Sequence, residues 1–135
     1  MHTLIVEDEF TSRVLLLRFL ADFGAVDVAV DGIEAVVAFE AALTSGTRYD
    51  LVLLDIGLPR MDGLEVLGKF RELEEKHQAP NTVVLMTTAR RDGKTVMRSF
   101  FKGCEGYLCK PIHRDEVVAK LAEHGLIDPT LAEAK

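Results

Sequence analysis

Hydrophobic positions along the chain fall into two alternating kinds of segment. Short, almost unbroken apolar runs occupy 3–6, 26–30, 51–54, 82–87 and 107–109. Between and after them lie longer stretches near 11–23, 33–44, 64–75, 92–102 and 113–124 whose apolar residues recur at intervals of three and four. The first kind has the length and continuity of strands, the second the period of amphipathic helices. Turn-forming residues separate them, at Asp31-Gly32, Pro59 to Gly63, Ala79-Pro80-Asn81 and Gly103 to Gly106. The pattern predicts strands and helices in strict alternation, with neither a repeat nor a second core.

Such alternation implies parallel strands joined by right-handed crossovers, with helices covering both faces of one sheet. The runs LVLL at 51–54 and TVVLM at 82–86 are nearly all apolar, as strands buried on both faces should be. The expected fold is therefore α/β: a flavodoxin-like, doubly wound (βα)5 domain with a five-stranded parallel sheet in the order 2-1-3-4-5. In that order a ligand crevice opens at the carboxyl ends of strands 1 and 3.

The residues at those ends carry the chemistry. Strand 1 runs into Glu7, Asp8 and Glu9, and strand 3 into Asp55. Carboxylates crowded together repel unless a cation neutralises them, and oxygen ligands of this kind suit a hard divalent ion such as Mg2+. Strand 4 ends in Thr87-Thr88, a source of hydroxyl groups, and strand 5 ends before Lys110-Pro111, a source of a fixed ammonium. A carboxylate nucleophile beside Mg2+, with a hydroxyl and an amine to hold the remaining oxygens, suits phosphoryl transfer to Asp55. An aspartate after a strand often only caps the next helix. A cap explains neither the acidic triplet nor the Lys-Pro pair.

With these motifs assembled, the chain resembles the receiver domain of two-component response regulators over about residues 2 to 125. The segments LIVEDE at 4–9, DLVLLDIGLPRMDGLEVL at 50–67, VVLMTTA at 83–89 and GYLCKPI at 106–112 carry the resemblance. It implies that Asp55 accepts a phosphoryl group from a sensor histidine kinase or phosphotransfer protein. It also implies that Asp8 ligates Mg2+ directly, that Glu7 assists, and that the backbone carbonyl of Gly57 joins Asp55 as a further ligand. The switch hydroxyl falls on Thr88, before Ala89, with Thr87 packed inside. The family's lysine matches Lys110, its cis-proline Pro111 and its rotamer-switching aromatic Tyr107. Gly57 and Arg90 occupy the positions that tune phosphoryl lifetime, with an open approach for water at Gly57 and Arg90 within reach of a phosphoryl oxygen.

Composition and charge bound the possibilities further. The 135 residues suit one domain, and 48% hydrophobic with 28% charged content excludes a disordered tail or a fibre. A net charge of −6 opposes binding to nucleic acid or to an anionic membrane. No apolar run approaches the ~20 residues of a membrane span, so a cytoplasmic location is expected. Cys104 and Cys109 lack a second metal-ligand pair and are read as free thiols, with Cys109 inside a buried strand.

The charge is split unevenly, at −9 over residues 1–75 and +3 over 76–135. The basic excess lies on the fourth predicted helix, where Arg91, Lys94, Arg98 and Lys102 form one stripe with Phe101 at its edge. Like charges four apart weaken a helix, so the stripe is expected to serve docking on an acidic downstream protein or a self-dimer. In receivers the face formed by helix 4, strand 5 and helix 5 is the usual output surface.

Residues 1–125 are expected to form the receiver, and 126–135 a short tail with no output domain. The resemblance then implies a single-domain, chemotaxis-type switch, a phosphoprotein of phosphorelay signal transduction that catalyses only its own phosphorylation and hydrolysis. Three alternatives compete. An Asp-nucleophile phosphatase expects a second acid two residues after the nucleophile, and Gly57 stands there. An FMN carrier would need a phosphate loop where Glu7-Asp8-Glu9 stands. The third is a receiver-shaped interaction module that is never phosphorylated.

Overall fold

The computed structural model describes residues 1–89, 98 and 103–130. Strand β1 (His2–Val6) leads to helix α1 (Phe10–Leu20), which tightens into a 3-10 turn at Ala21–Phe23. Then follow β2 (Ala25–Ala29), α2 (Gly32–Ser45), β3 (Leu51–Asp55), α3 (Gly63–Lys76), β4 (Val83–Thr88), β5 (Gly106–Cys109) and α4 (Arg114–Glu123). Helix α4 is the fifth of the predicted helices. The fourth, at 92–102, falls almost wholly outside the described residues, as do Arg90, Arg91, Lys94, Phe101 and Lys102. Arg98 is described and exposed.

The strands form one parallel sheet in the order β2-β1-β3-β4-β5, as the alternation predicts. Its register decides where the chemistry collects. Val6 stands beside Leu54, Asp55 beside Thr87, and Thr88 beside Cys109. The residues following β1, β3, β4 and β5 therefore emerge along one edge.

Side-chain alternation divides the core in two. On one face Leu4, Val6, Val52, Leu54, Val84 and Met86 pack under α2 and α3, where the rings of Phe39 and Phe70 stack at 4.1 Å. On the other, Ile5, Leu51, Leu53, Leu85 and Leu108 pack under Leu16 and Leu20 of α1 and Val117 and Leu121 of α4. Every residue of β3 is buried because a central strand is covered on both sides. Cys109 departs from expectation: it is only half-buried, because β5 lies at the sheet edge. The other edge, β2, likewise leaves Val28 exposed.

Three helices start on acidic caps. Glu9, Asp31 and Asp62 accept hydrogen bonds from the backbone N–H groups of Ser12, Glu34 and Glu65. Helix α2 ends on Gly46, whose φ of 77° turns the chain out of the helix.

At the end of the sheet away from the strand-end acids, the guanidinium of Arg71 on α3 binds several elements at once. It donates to the carbonyls of Thr82 and Gly103 and to the carboxylates of Glu74 and Glu105. Glu74 also accepts from Thr82 N, and Glu105 from Val84 N. The network fastens α3 to the starts of β4 and β5.

Candidate functional site

Glu7 continues the line of β1, and its N–H donates to the carbonyl of Ala29 at 3.0 Å. That bond directs its side chain under the sheet edge, where it is fully buried. Asp8, one residue on, is exposed. Asp55 closes β3 with 6% of its surface exposed. Backbone bonds then hold the surroundings: Ile56 N to Thr87 O, Gly63 N to Ile56 O, and Lys110 N to Thr88 O at 2.7 Å.

These placements bring Glu7, Asp8 and Asp55 together, each offering an oxygen within 4.8 Å of the others. Lys110 enters from β5, with Nζ 2.6 Å from Glu7 Oε1 and 3.1 Å from Asp55 Oδ2. Its peptide bond to Pro111 is cis, as the resemblance implied. The second oxygen of Asp55, Oδ1, accepts from Gly57 N at 3.0 Å.

Burial pushes the Glu7 carboxyl above its ordinary range, against the downward pull of Lys110. For Lys110, burial alone would lower the ammonium, but Glu7 and Asp55 outweigh it and the net shift is upward. Burial thus favours the uncharged form of the Glu7 carboxyl, while the neighbouring carboxylates favour the charged form of the Lys110 ammonium.

The oxygen-only donor set, drawn from three carboxylates, fits a hard divalent cation such as Mg2+. Gly57 keeps the approach clear: among the described residues, a Cβ built there would meet only Asp55 Oδ1, at 3.9 Å. Thr88, at the end of β4, is buried at 4% exposure, and Thr87 at 1%. Tyr107 stands apart on β5 with 39% of its surface exposed.

Two features escaped the sequence reading. Glu9, grouped there with the acidic triplet, caps α1 instead of joining the cluster. Arg13 on α1 donates from Nη1 to the carbonyls of both Glu7 and Asp8, at 3.2 Å each. Its spacing offered a faint signal, since helical side chains lean back toward the amino terminus and a long one in the first turn can reach the loop before it.

Comparison with known proteins agrees with this geometry. The family model for the response regulator receiver domain matches residues 3–122. Transcriptional regulatory protein TcrA of Mycobacterium tuberculosis is 40% identical over 119 residues, 87% of this chain and 43% of that protein. The chain spans about half or less of the length of the curated relatives it matches. A chain in the crystal structure of the CheX-CheY-BeF3-Mg+2 complex from Borrelia burgdorferi superposes with a TM-score of 0.82 at 27% identity, covering 94% of this chain and 90% of that one. The receiver domain of a sensor histidine kinase from Pseudomonas aeruginosa PAO1, with magnesium coordinated in its active-site cleft, superposes with a TM-score of 0.74 at 28% identity, covering 90% and 94%. Together, the sheet order, the strand-end acids and a family match across nearly the whole chain establish that it belongs to the response regulator receiver domain family of two-component systems.

Proposed function

We propose that the chain is a phosphorylation-controlled signalling switch whose acceptor is Asp55. One observation carries this reading. A nearly buried carboxylate has one oxygen against Lys110 Nζ and the other against Gly57 N, with Glu7 and Asp8 beside it.

The phosphoryl donor is a sensor histidine kinase or phosphotransfer protein. A carboxylate oxygen of Asp55 attacks phosphorus as the P–N bond of the donor's phosphohistidine breaks. The imidazole keeps the bonding electrons and takes up a proton, and the aspartate becomes an acyl phosphate. Lys110 offsets the added charge, and the Thr88 hydroxyl donates to a phosphoryl oxygen. Glu7, Asp8, Asp55 and the Gly57 carbonyl would hold Mg2+, which supplies charge neutralisation at the phosphoryl oxygens. Hydrolysis by water returns the carboxylate.

Output runs through the face that combines the fourth predicted helix with β5 and α4. Exposed Tyr107 lies on it beside a recess of about 460 Å3 lined also by Cys109, Glu116, Lys120 and Glu123. The partner is a downstream protein or a second copy of the chain. We read residues 1–125 as the receiver unit. Among the described residues no helix is long and apolar enough to cross a membrane.

The test is incubation with Mg2+ and acetyl phosphate followed by intact mass measurement. One added phosphoryl group on the wild type, absent from Asp55→Asn, is the expected result. No gain with acetyl phosphate, phosphoramidate or a phosphorylated phosphotransfer protein overturns the reading in favour of a passive, receiver-shaped interaction module.

A further inference from the structure

We propose that Arg13 is a positioning residue for the cation site, fixing the backbone that aims Asp8; this rests on the reading of the site given above. The two acids after β1 are held in different ways. Glu7 is gripped through its side chain, which meets Lys110 and accepts from Glu9 N. The Asp8 carboxylate is exposed and has no hydrogen bond among the described residues. The direction of its Cα–Cβ bond, and so the region the carboxylate can reach, follows from the peptide planes on either side of it.

Those planes are held by Arg13. Its Nη1 donates to the carbonyls of Glu7 and Asp8 together, so one rigid guanidinium spans the two peptide units that flank the Asp8 Cα. The guanidinium is itself located. The Arg13 backbone N–H closes the first turn of α1 on Glu9 O at 3.0 Å, and the ring of Phe10 lies 5.6 Å from the guanidinium carbon. A ligand held from behind in this way loses less freedom when it coordinates a cation.

Neither helix stability nor charge alone accounts for an arginine at this position. A cation in the first turn opposes the helix dipole, so α1 does not call for it. Its charge lies near a proposed divalent cation and would weaken binding by repulsion. If charge were its only influence, deleting it would tighten Mg2+.

The experiment is isothermal titration calorimetry with Mg2+ on the unphosphorylated wild type, Arg13→Ala, Arg13→Lys, Asp8→Asn and the Arg13→Ala/Asp8→Asn double variant, with the unfolding midpoint of each taken in chelator. Arg13→Ala is expected to bind about tenfold more weakly, the scale seen when the support behind a metal ligand is removed. Arg13→Lys, with the same charge but a single mobile ammonium in place of the planar guanidinium, recovers part of that loss. In the Asp8→Asn background, removing Arg13 costs no further affinity. Equal or tighter Mg2+ binding by Arg13→Ala overturns the inference alone. So does a loss of equal size in the Asp8→Asn background, which would mark general loosening of the fold. A wild type that takes up no Mg2+ overturns the reading of the site, and this inference with it.

Discussion

Lys110 reaches Asp55 from the opposite side of β4, with Nζ 3.1 Å from Oδ2, across a register that pairs Asp55 with Thr87 of β4 and Thr87 with Leu108 of β5. The ammonium is shared with Glu7, which is fully buried and has few other donors. Lys110→Met keeps the bulk and removes the charge. We expect it to lower stability at neutral pH by about 1–3 kcal/mol, less than for a fully buried pair because Lys110 keeps some contact with water. The ammonium is favoured in the folded state, so its contribution is complete below the ordinary value of 10.5 and fades as pH rises through the higher folded value. Urea unfolding from neutral pH into alkali should therefore show the wild type and the variant converging.

Two glycines beside Asp55 should respond oppositely to substitution. At Gly57 a Cβ would make an ordinary van der Waals contact with Asp55 Oδ1 at 3.9 Å, whereas at Gly63 it would fall 2.7 Å from the Cα of Ile56. Gly63→Ala should destabilise the fold by about 1–3 kcal/mol, the usual cost of overfilling a packed site. Gly57→Ala should fold normally. A larger side chain, as in Gly57→Leu, should cover the water approach and slow loss of the phosphoryl group several-fold. Denaturation measurements and a time course of phosphoprotein mass check the two halves.

Much of this was legible in the order of residues. The sheet order follows from the alternation of segments, and the acids and Lys110 could be placed because apolar runs stop abruptly at charged groups. Edge effects were less visible: Val28 sits in a strand-like, largely apolar run, yet it is exposed because β2 lies at the sheet edge. Glu9 could not be separated from Glu7 and Asp8 by composition, because capping depends on where α1 begins. Arg13 and Arg71 were missed for one shared reason. Both reach backbone carbonyls, which every residue possesses; the i,i+3 spacing of Arg71 and Glu74 was a side-chain pairing that pointed to one of them. The basic stripe around Arg98 rests on sequence, since its other members lie outside the described residues.

The Arg71 network predicts a sharp penalty. Glu74 is almost wholly buried at 1% exposure, and Arg71→Ala would leave it facing only a backbone N–H. A loss of about 3 kcal/mol is expected, as when one partner of a buried ion pair is removed. Arg71→Lys should not restore it, because one ammonium cannot serve Thr82 O, Gly103 O and two carboxylates at once. Equilibrium unfolding of both variants supplies the comparison.

The two thiols should be distinguishable. Burial pushes the Cys104 thiol up to about 11, so little thiolate is present at pH 8 and alkylation should be slow. Any stability linked to that group is intact below its ordinary value of 9.0 and declines as pH rises through about 11. Iodoacetamide at pH 8, followed by peptide mapping, should label the half-buried Cys109 first. Preferential labelling of Cys104 in the folded protein would contradict this.

The Arg71 network and the acidic cluster sit at opposite ends of strands only about 17 Å long. One end is densely cross-braced, while at the other Asp8 and Gly57 stand open to solvent. Strength and responsiveness are thus allotted to separate halves of the same strands. Substitutions of the exposed residues at the open end, Asp8 and Gly57, should alter timing while the braced end keeps the chain folded, which leaves room for one scaffold to be retuned without being rebuilt.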